Sequence, residues 1–126
     1  DFGTWTGQKL SDLRKLPEWE SVQKIPSSFR FPSGESFLEI QSRMVDTIAQ
    51  VVEDHPGDVV VAVSHADTIK AALSAALGTP LDLFQRINVS PCSLSAVLYS
   101  HSGPMVLAMN TTGEKLESLI PMRASK

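Results

Sequence analysis

A histidine between two structural patterns is the strongest candidate for chemistry in this sequence. Residues 59–73 read VVVAVSHADTIKAAL, where His65 follows an apolar run and precedes a helix-like stretch. In open α/β sheets, ligands bind beyond the carboxyl ends of strands, and the start of the next helix attracts anions, phosphate above all. An imidazole placed there can donate a hydrogen bond to a phosphoryl oxygen. A partly buried histidine bonded to a loop carbonyl fits the same spacing, so position alone leaves both interpretations open.

The segments around His65 indicate a layered α/β fold. Residues 58–64 contain an unbroken apolar run at 59–63, which is typical of a strand covered on both faces in a parallel sheet. GESFLEIQSRMVDTIAQVVEDHPG has helical apolar spacing, and DTIKAALSAALG predicts a second helix. For that second helix we expect Asp67 as N-cap and Gly78 as the C-terminal stop.

The two ends of the chain carry other patterns. Residues 11–16 predict a short amphipathic helix, and residues 18–34 an irregular connection anchored by Phe29 and Phe31. SLSAVLYS and MVLAMN flank the turn signal HSGP, which predicts a β-hairpin. The tail after Thr111 is polar, and we expect it to be loosely held.

The composition excludes several classes of function. The chain has 126 residues, 42% of them hydrophobic, which suits one folded domain. Its net charge of −3 and scattered basic residues argue against binding to nucleic acid or to a membrane surface. No segment approaches the roughly 18 apolar residues of a membrane span. The single Cys92 excludes an internal disulfide and fits a reducing, cytoplasmic compartment.

Three stretches occur in an order that resembles a known family. DFGTWTG, PSGESFLEIQSR and VVVAVSHADTIKAAL follow one another as in the histidine phosphatase superfamily, also called phosphoglycerate mutase-like. The segment FQRINVSPCSLSAVLY is similar as well, so the likeness extends from residue 1 to about residue 119. It is strongest to small bacterial phosphomutases and broad-specificity phosphatases. The resemblance implies an α/β three-layer sandwich with a mostly parallel sheet between helices.

The resemblance also implies a reaction and roles for individual residues. Members hydrolyse phosphomonoesters through a phosphohistidine formed on an Arg-His-Gly motif, with no metal or cofactor. His65 matches the second, phosphate-stabilising histidine and is the expected catalytic residue. The N–H of Ala66 would be a further phosphate donor, and Glu35 and Ser36 would bind substrate at the mouth of the site. The expected partner is a small phosphorylated substrate.

The sequence lacks the Arg-His-Gly motif of the family. His55 and His101 lie in loop patterns and fit no nucleophile. We therefore expect residues 1–126 to be the C-terminal portion of a single histidine phosphatase domain, incomplete at the N-terminus and inactive alone. A missing N-terminal segment or another chain would complete the sheet beside residues 58–64. Two alternatives remain open: an inactive phosphate-binding or oligomerisation module, and an unrelated α/β phosphate-binding protein.

Structural roles compete with functional ones at several other positions. A charge in a first helical turn explains Glu35 without any substrate. We expect Arg43 to pair with a carboxylate, Trp5 to pack beneath its loop, and Cys92 to have no nucleophilic role. The short connection 18–34 favours a phosphatase over a cofactor-dependent mutase, and its aromatic residues would suit a substrate with an apolar part.

Overall fold

The computed structural model of the protein describes residues 1–113; most of the tail expected to be loosely held, residues 114–126, lies outside the described part. Four α-helices and a two-stranded antiparallel sheet make up an α/β arrangement in these residues, joined by short 3-10 segments at Gly3–Trp5, Pro26–Ser28 and Leu81–Arg86. The regular elements are α1 (Leu10–Leu13), α2 (Trp19–Lys24), α3 (Phe37–Asp54), α4 (Ala66–Leu77), β1 (Leu94–Ser100) and β2 (Gly103–Thr111).

Helix α3 begins at a capping box. The Glu39 N–H donates to Ser36 Oγ at 3.1 Å, and the Ser36 N–H donates to Glu39 Oε2 at 2.9 Å. The helix ends before Pro56, as its sequence predicts. Its apolar stripe is fully buried only near the start, at Phe37 and Ile40.

The N-cap of helix α4 lies two residues before the expected one. His65 is the N-cap, with extended φ and ψ of −103° and 156°, and its carbonyl accepts the Ile69 N–H at 2.9 Å. Asp67 was therefore wrong as the N-cap; it lies in the first turn instead, because His65, with its extended backbone, is the last residue before the helix. Gly78, at φ 67°, ends the helix as expected.

The connection over residues 18–34 is more regular than its sequence predicts. The connection is not irregular, because α2 and the segment Pro26–Ser28 occupy much of it.

Phe29 and Phe31 do anchor this connection, and both are buried in an aromatic core with Trp5, Trp19, Phe37 and Phe84. Trp5 stacks on Trp19 with a centroid distance of 6.2 Å, as expected for a residue packed beneath its loop. Buried rings cannot line an open cleft, so the suggestion that Phe29 and Phe31 contact substrate is wrong.

The C-terminal hairpin has the predicted position. β1 and β2 pair antiparallel, with Ser100 opposite Gly103 and Leu98 opposite Met105. The register shifts near Leu94 and Ala96, and Asn110 on the facing strand has a left-handed φ of 53°. The Asn110 side chain accepts the Ser90 N–H at 2.7 Å, which fixes the loop before β1.

Residues 58–64 are the main departure from expectation. They do not form a strand, and the sheet of the described residues contains only β1 and β2. The side chains that the sequence predicts to be covered on both faces are open to solvent: Val59 is 61% exposed, Val61 63% and Val63 95%. A strand requires a neighbour for its ladder, and no described strand lies beside this segment.

A bidentate ion pair fixes the start of α3. Arg30 donates to both oxygens of Glu39 at 2.7 and 2.8 Å and to the Gly34 carbonyl at 3.0 Å. The Arg30 hydrogen bonds, followed by that of the Ser36 N–H, lower the pKa of Glu39 to about 2. Because the folded pKa is depressed, the stabilisation is complete above about pH 4.5 and is lost as the pH falls toward 2.

Glu39→Gln should therefore flatten the loss of stability between pH 4.5 and pH 2. The amide has no charge to titrate, so this contribution is already missing at neutral pH. Thermal unfolding followed by circular dichroism at pH 6 and pH 2.5 measures the difference. Glu53→Gln, near the other end of the same helix, is the control. An identical fall in melting temperature for Glu39→Gln and the unmodified protein would contradict the prediction.

Candidate functional site

His65 is the residue that joins segment 58–64, which forms no regular element, to the start of α4. The residue is exposed, and its side chain makes no cap hydrogen bond to the helix. The first N–H groups of any helix have no acceptor within that helix, and they carry the positive end of its dipole. Ala66, the first helical residue, is exposed beside them. An imidazole and a set of helix N–H donors are thus adjacent at the surface, an arrangement suited to an oxyanion.

Glu35 is held by a cationic side chain. Its carboxylate accepts from Arg43 Nε at 3.1 Å and from Arg43 Nη2 at 3.0 Å. The expectation that Arg43 pairs with a carboxylate is confirmed. Glu35 is consequently a charged anchor of its loop.

Ser36 uses its hydroxyl as the cap of α3, where it accepts the Glu39 N–H. Neither Ser36 nor Glu35 shares a hydrogen bond or ion pair with His65 in the described part of the chain. The structure thus gives each of these predicted site residues a local partner, and it does not join them to the histidine.

Two loops touch backbone to backbone next to Glu35. We call this contact, between residues 1–4 and 32–35, the glycine clasp. The Thr4 N–H donates to the Pro32 carbonyl at 2.9 Å, and the Glu35 N–H donates to the Asp1 carbonyl at 3.0 Å. A Cβ on Gly3 would lie 1.9 Å from the Pro32 carbonyl oxygen, so the approach requires glycine. Sequence patterns did not indicate the clasp, because it joins residues about thirty positions apart.

A lysine missed by sequence reasoning lies close to the start of α4. The Lys70 side chain is only 14% exposed, and its ammonium group lies 3.4 Å from Asp67 Oδ1 and 3.0 Å from Gln85 Oε1. It also lies 5.9 Å from the ring centroid of the fully buried Phe84. The available signal was a lysine in the middle of an otherwise apolar helical run.

The remaining candidate groups lie apart from this arrangement. His55 and His101 are exposed in loops, as expected, and His55 Nδ1 is 3.6 Å from Asp58 Oδ2. Cys92 is exposed in a turn at φ 60°. Within residues 1–113 no cluster of side chains could hold a metal ion, and no helix has the length and apolar character to cross a bilayer. A hollow of about 200 Å³ contains none of the predicted site residues; it is lined by Pro17, Glu20, Ser21, Lys24 and Ile25.

Curated relatives cover most of this chain. Bifunctional protein Rv2228c of Mycobacterium tuberculosis is 30% identical over 115 residues, which is 90% of this chain and 32% of that protein. The probable phosphoglycerate mutase GpmB of Klebsiella pneumoniae is 34% identical over 105 residues, which is 81% of this chain and 48% of that protein. The chain thus spans a third to a half of the length of these relatives.

Solved structures with the same fold are matched over a little more than half of their length. YhfR of Bacillus stearothermophilus superimposes with a TM-score of 0.80 at 21% identity, over 88% of this chain and 56% of that one. Phosphoserine phosphatase of Entamoeba histolytica, in complex with 3-phosphoglyceric acid, gives 0.77 at 18% identity, over 90% and 58%. The family model of the histidine phosphatase superfamily (branch 1) matches residues 1–112. The resemblance seen in the sequence is confirmed: the chain belongs to the histidine phosphatase superfamily, branch 1.

Proposed function

We propose that the protein is a phosphomonoester hydrolase that works through a phosphohistidine whose nucleophile lies outside residues 1–126. The observation that carries this proposal is the exposed imidazole of His65 at the start of α4, in a chain of this superfamily. A helix start and an imidazole offer a phosphoryl group the donors that it requires. The alternative within the same family is a phosphomutase.

In the proposed reaction, an imidazole nitrogen attacks phosphorus and the bond to the leaving oxygen breaks, while a carboxylic acid protonates that oxygen so that it departs as the alcohol; this acid, like the nucleophile, is proposed to lie outside residues 1–126. Water then gives a proton to the resulting carboxylate and attacks the phosphohistidine, which breaks the N–P bond and releases inorganic phosphate. His65 donates a hydrogen bond to a non-bridging oxygen throughout and stabilises the charge that develops on it. The N–H of Ala66 is a second donor. Glu35 and Ser36 limit the mouth of the site through the loop that their side chains fix.

The proposed partner is a small phosphorylated molecule. The Entamoeba phosphatase was solved with 3-phosphoglyceric acid, and a phosphomonoester of that size suits an open helix start. Nucleic acid and membrane are not proposed as partners, given the net charge of −3. A cytoplasmic location is part of the proposal, and the single, exposed Cys92 is compatible with it.

The natural full-length protein should release phosphate from members of a panel of phosphomonoesters without added metal. Sugar phosphates, phosphoserine, 3-phosphoglycerate and nucleotides cover the main leaving groups. Isomerisation of a phosphoglycerate without release of phosphate would show that the protein is a phosphomutase and not a hydrolase. No turnover of any substrate, together with binding of phosphate, would favour the inactive binding module. The reason to keep that alternative is that neither His55 nor His101 is placed as a nucleophile: both lie in exposed loops.

We also propose that residues 1–126 are the C-terminal portion of one three-layer domain, whose sheet is completed beside residues 58–64. A missing N-terminal segment or another chain would supply the adjacent parallel strand. Support comes from the partial coverage of the solved structures and from the exposed valines Val59, Val60, Val61 and Val63. An open apolar edge of this kind readily pairs with another strand.

Backbone amides of residues 59–63 should be protected from hydrogen exchange in the natural full-length protein. A strand inside a sheet opens rarely, so we expect exchange at least about a hundredfold slower than in an unstructured peptide. Val97 of β1, which already has a partner strand, is the internal reference. Exchange of residues 59–63 at unstructured rates, with Val97 protected, would show that no strand pairs there.

A further inference from the structure

Lys70 has an unusual position for a lysine. It lies in the second turn of α4, and helical side chains point back toward the N-terminus, so its ammonium group lies beside Asp67 in the first turn. A positive charge at the start of a helix opposes the helix dipole. Burial of the side chain to 14% exposure adds to this unfavourable placement. A structural reason for a cation at this point is therefore required.

The contacts of Lys70 connect the first turn of α4 to a second element. Asp67 Oδ1 lies at 3.4 Å, and Gln85 Oε1, on the segment Leu81–Arg86, lies at 3.0 Å. The ammonium group lies over the ring of Phe84, which is fully buried, at 5.9 Å from the ring centroid. Lys70 thus connects the helix start to Gln85 and to the buried ring of Phe84. Asp67 itself is 48% exposed, so it would be tolerated on the surface without a partner.

The charges of Asp67 and Lys70 would affect the binding of phosphate at the start of α4. Asp67 lies two residues after His65, and its carboxylate would repel a phosphate dianion at the same helix start. The ammonium group of Lys70 offsets that carboxylate. Removing the lysine would leave a negative charge beside the anion, whereas removing the aspartate would leave a positive one. The two substitutions break the same ion pair, but they change the local charge in opposite directions.

We propose, building on the phosphate site of the proposed function, that Lys70 is a positioning residue which neutralises Asp67 and holds the start of α4 ready for phosphate. Lys70 touches neither the phosphate nor the reacting atoms. It acts through Asp67 and through the placement of the first helical turn. Phosphate affinity therefore depends on a residue one turn behind the site.

The test measures the dissociation constant of inorganic phosphate by calorimetry on the natural full-length protein. Lys70→Met keeps an unbranched apolar side chain without the charge and should weaken binding about fivefold, from one unit charge acting on a dianion several ångströms away in water. Asp67→Asn should tighten binding by a similar, about fivefold, factor. Lys70→Arg keeps the charge, so its dissociation constant for phosphate should lie within about twofold of that of the unmodified protein.

The outcomes separate this inference from the proposed function. Weaker binding by Lys70→Met together with tighter binding by Asp67→Asn supports the electrostatic role. Weakening in both variants, or no change in Asp67→Asn, overturns it, because a merely structural ion pair gives the same sign for either partner. The Asp67→Asn result decides the matter even if Lys70→Met fails to fold. His65→Ala is measured alongside. Unchanged phosphate affinity in that variant would show that phosphate does not bind at His65, which would contradict the proposed function rather than the role of Lys70.

Discussion

Replacing His65 with alanine should lower the turnover of the natural full-length protein by about 10²–10³-fold, as removal of one transition-state donor does in other enzymes. The imidazole is exposed and makes no cap hydrogen bond, so the fold does not depend on it. The melting temperature should therefore change little. Steady-state phosphatase kinetics and thermal unfolding give the two quantities.

His101→Ala is the matched control for this substitution. It removes the same side chain from an exposed position in the hairpin turn. Its turnover should equal that of the unmodified protein. If His65→Ala and His101→Ala retain the same turnover, His65 does not stabilise the phosphoryl group.

The second large effect concerns stability and lies in the glycine clasp. Gly3→Ala should destabilise the protein by about 3 kcal/mol, because overpacking against a fixed backbone adds to the strain of a left-handed residue. The new Cβ would lie 1.9 Å from the Pro32 carbonyl oxygen and 2.7 Å from the Gly34 nitrogen. Neither backbone atom can move without displacing the loop that carries Glu35.

Gly7→Ala is the control for the clasp. Gly7 also has a positive φ, 79° against 52° for Gly3, but no other group lies within 4 Å of the position that an alanine methyl would occupy there. It should therefore lose only about 1 kcal/mol, the strain of a left-handed alanine. Urea unfolding of both variants gives the free energies. Equal losses would show that the close approach of the two loops contributes nothing to stability.

Local patterns predicted much of the fold. The helical spacing of α3, the Pro56 and Gly78 stops and the HSGP turn all depend on neighbouring residues, and the structure has each of them. The segment 58–64 differs because a strand is defined by its partner as well as by its own composition. Its apolar run is consistent with a buried strand, but the described residues provide no strand to pair with it.

The site was predictable only in part for the same reason. His65 was found because a local junction marks it, and the resemblance to the family gave it a role. Lys70 was missed because its meaning depends on Gln85, fifteen positions away, and on the ring of Phe84. Glu35 was recognised, but the Asp1 carbonyl that accepts its N–H lies 34 positions away. No periodic pattern reports contacts of that range.

A crystal structure of the natural full-length protein with phosphate or vanadate tests the role of His65 most directly. We expect an anion oxygen within about 3.2 Å of a His65 ring nitrogen and of the Ala66 nitrogen, as in ordinary hydrogen bonds. An anion bound elsewhere, with the His65 ring bonded to a protein carbonyl instead, would contradict a phosphate site at the start of α4.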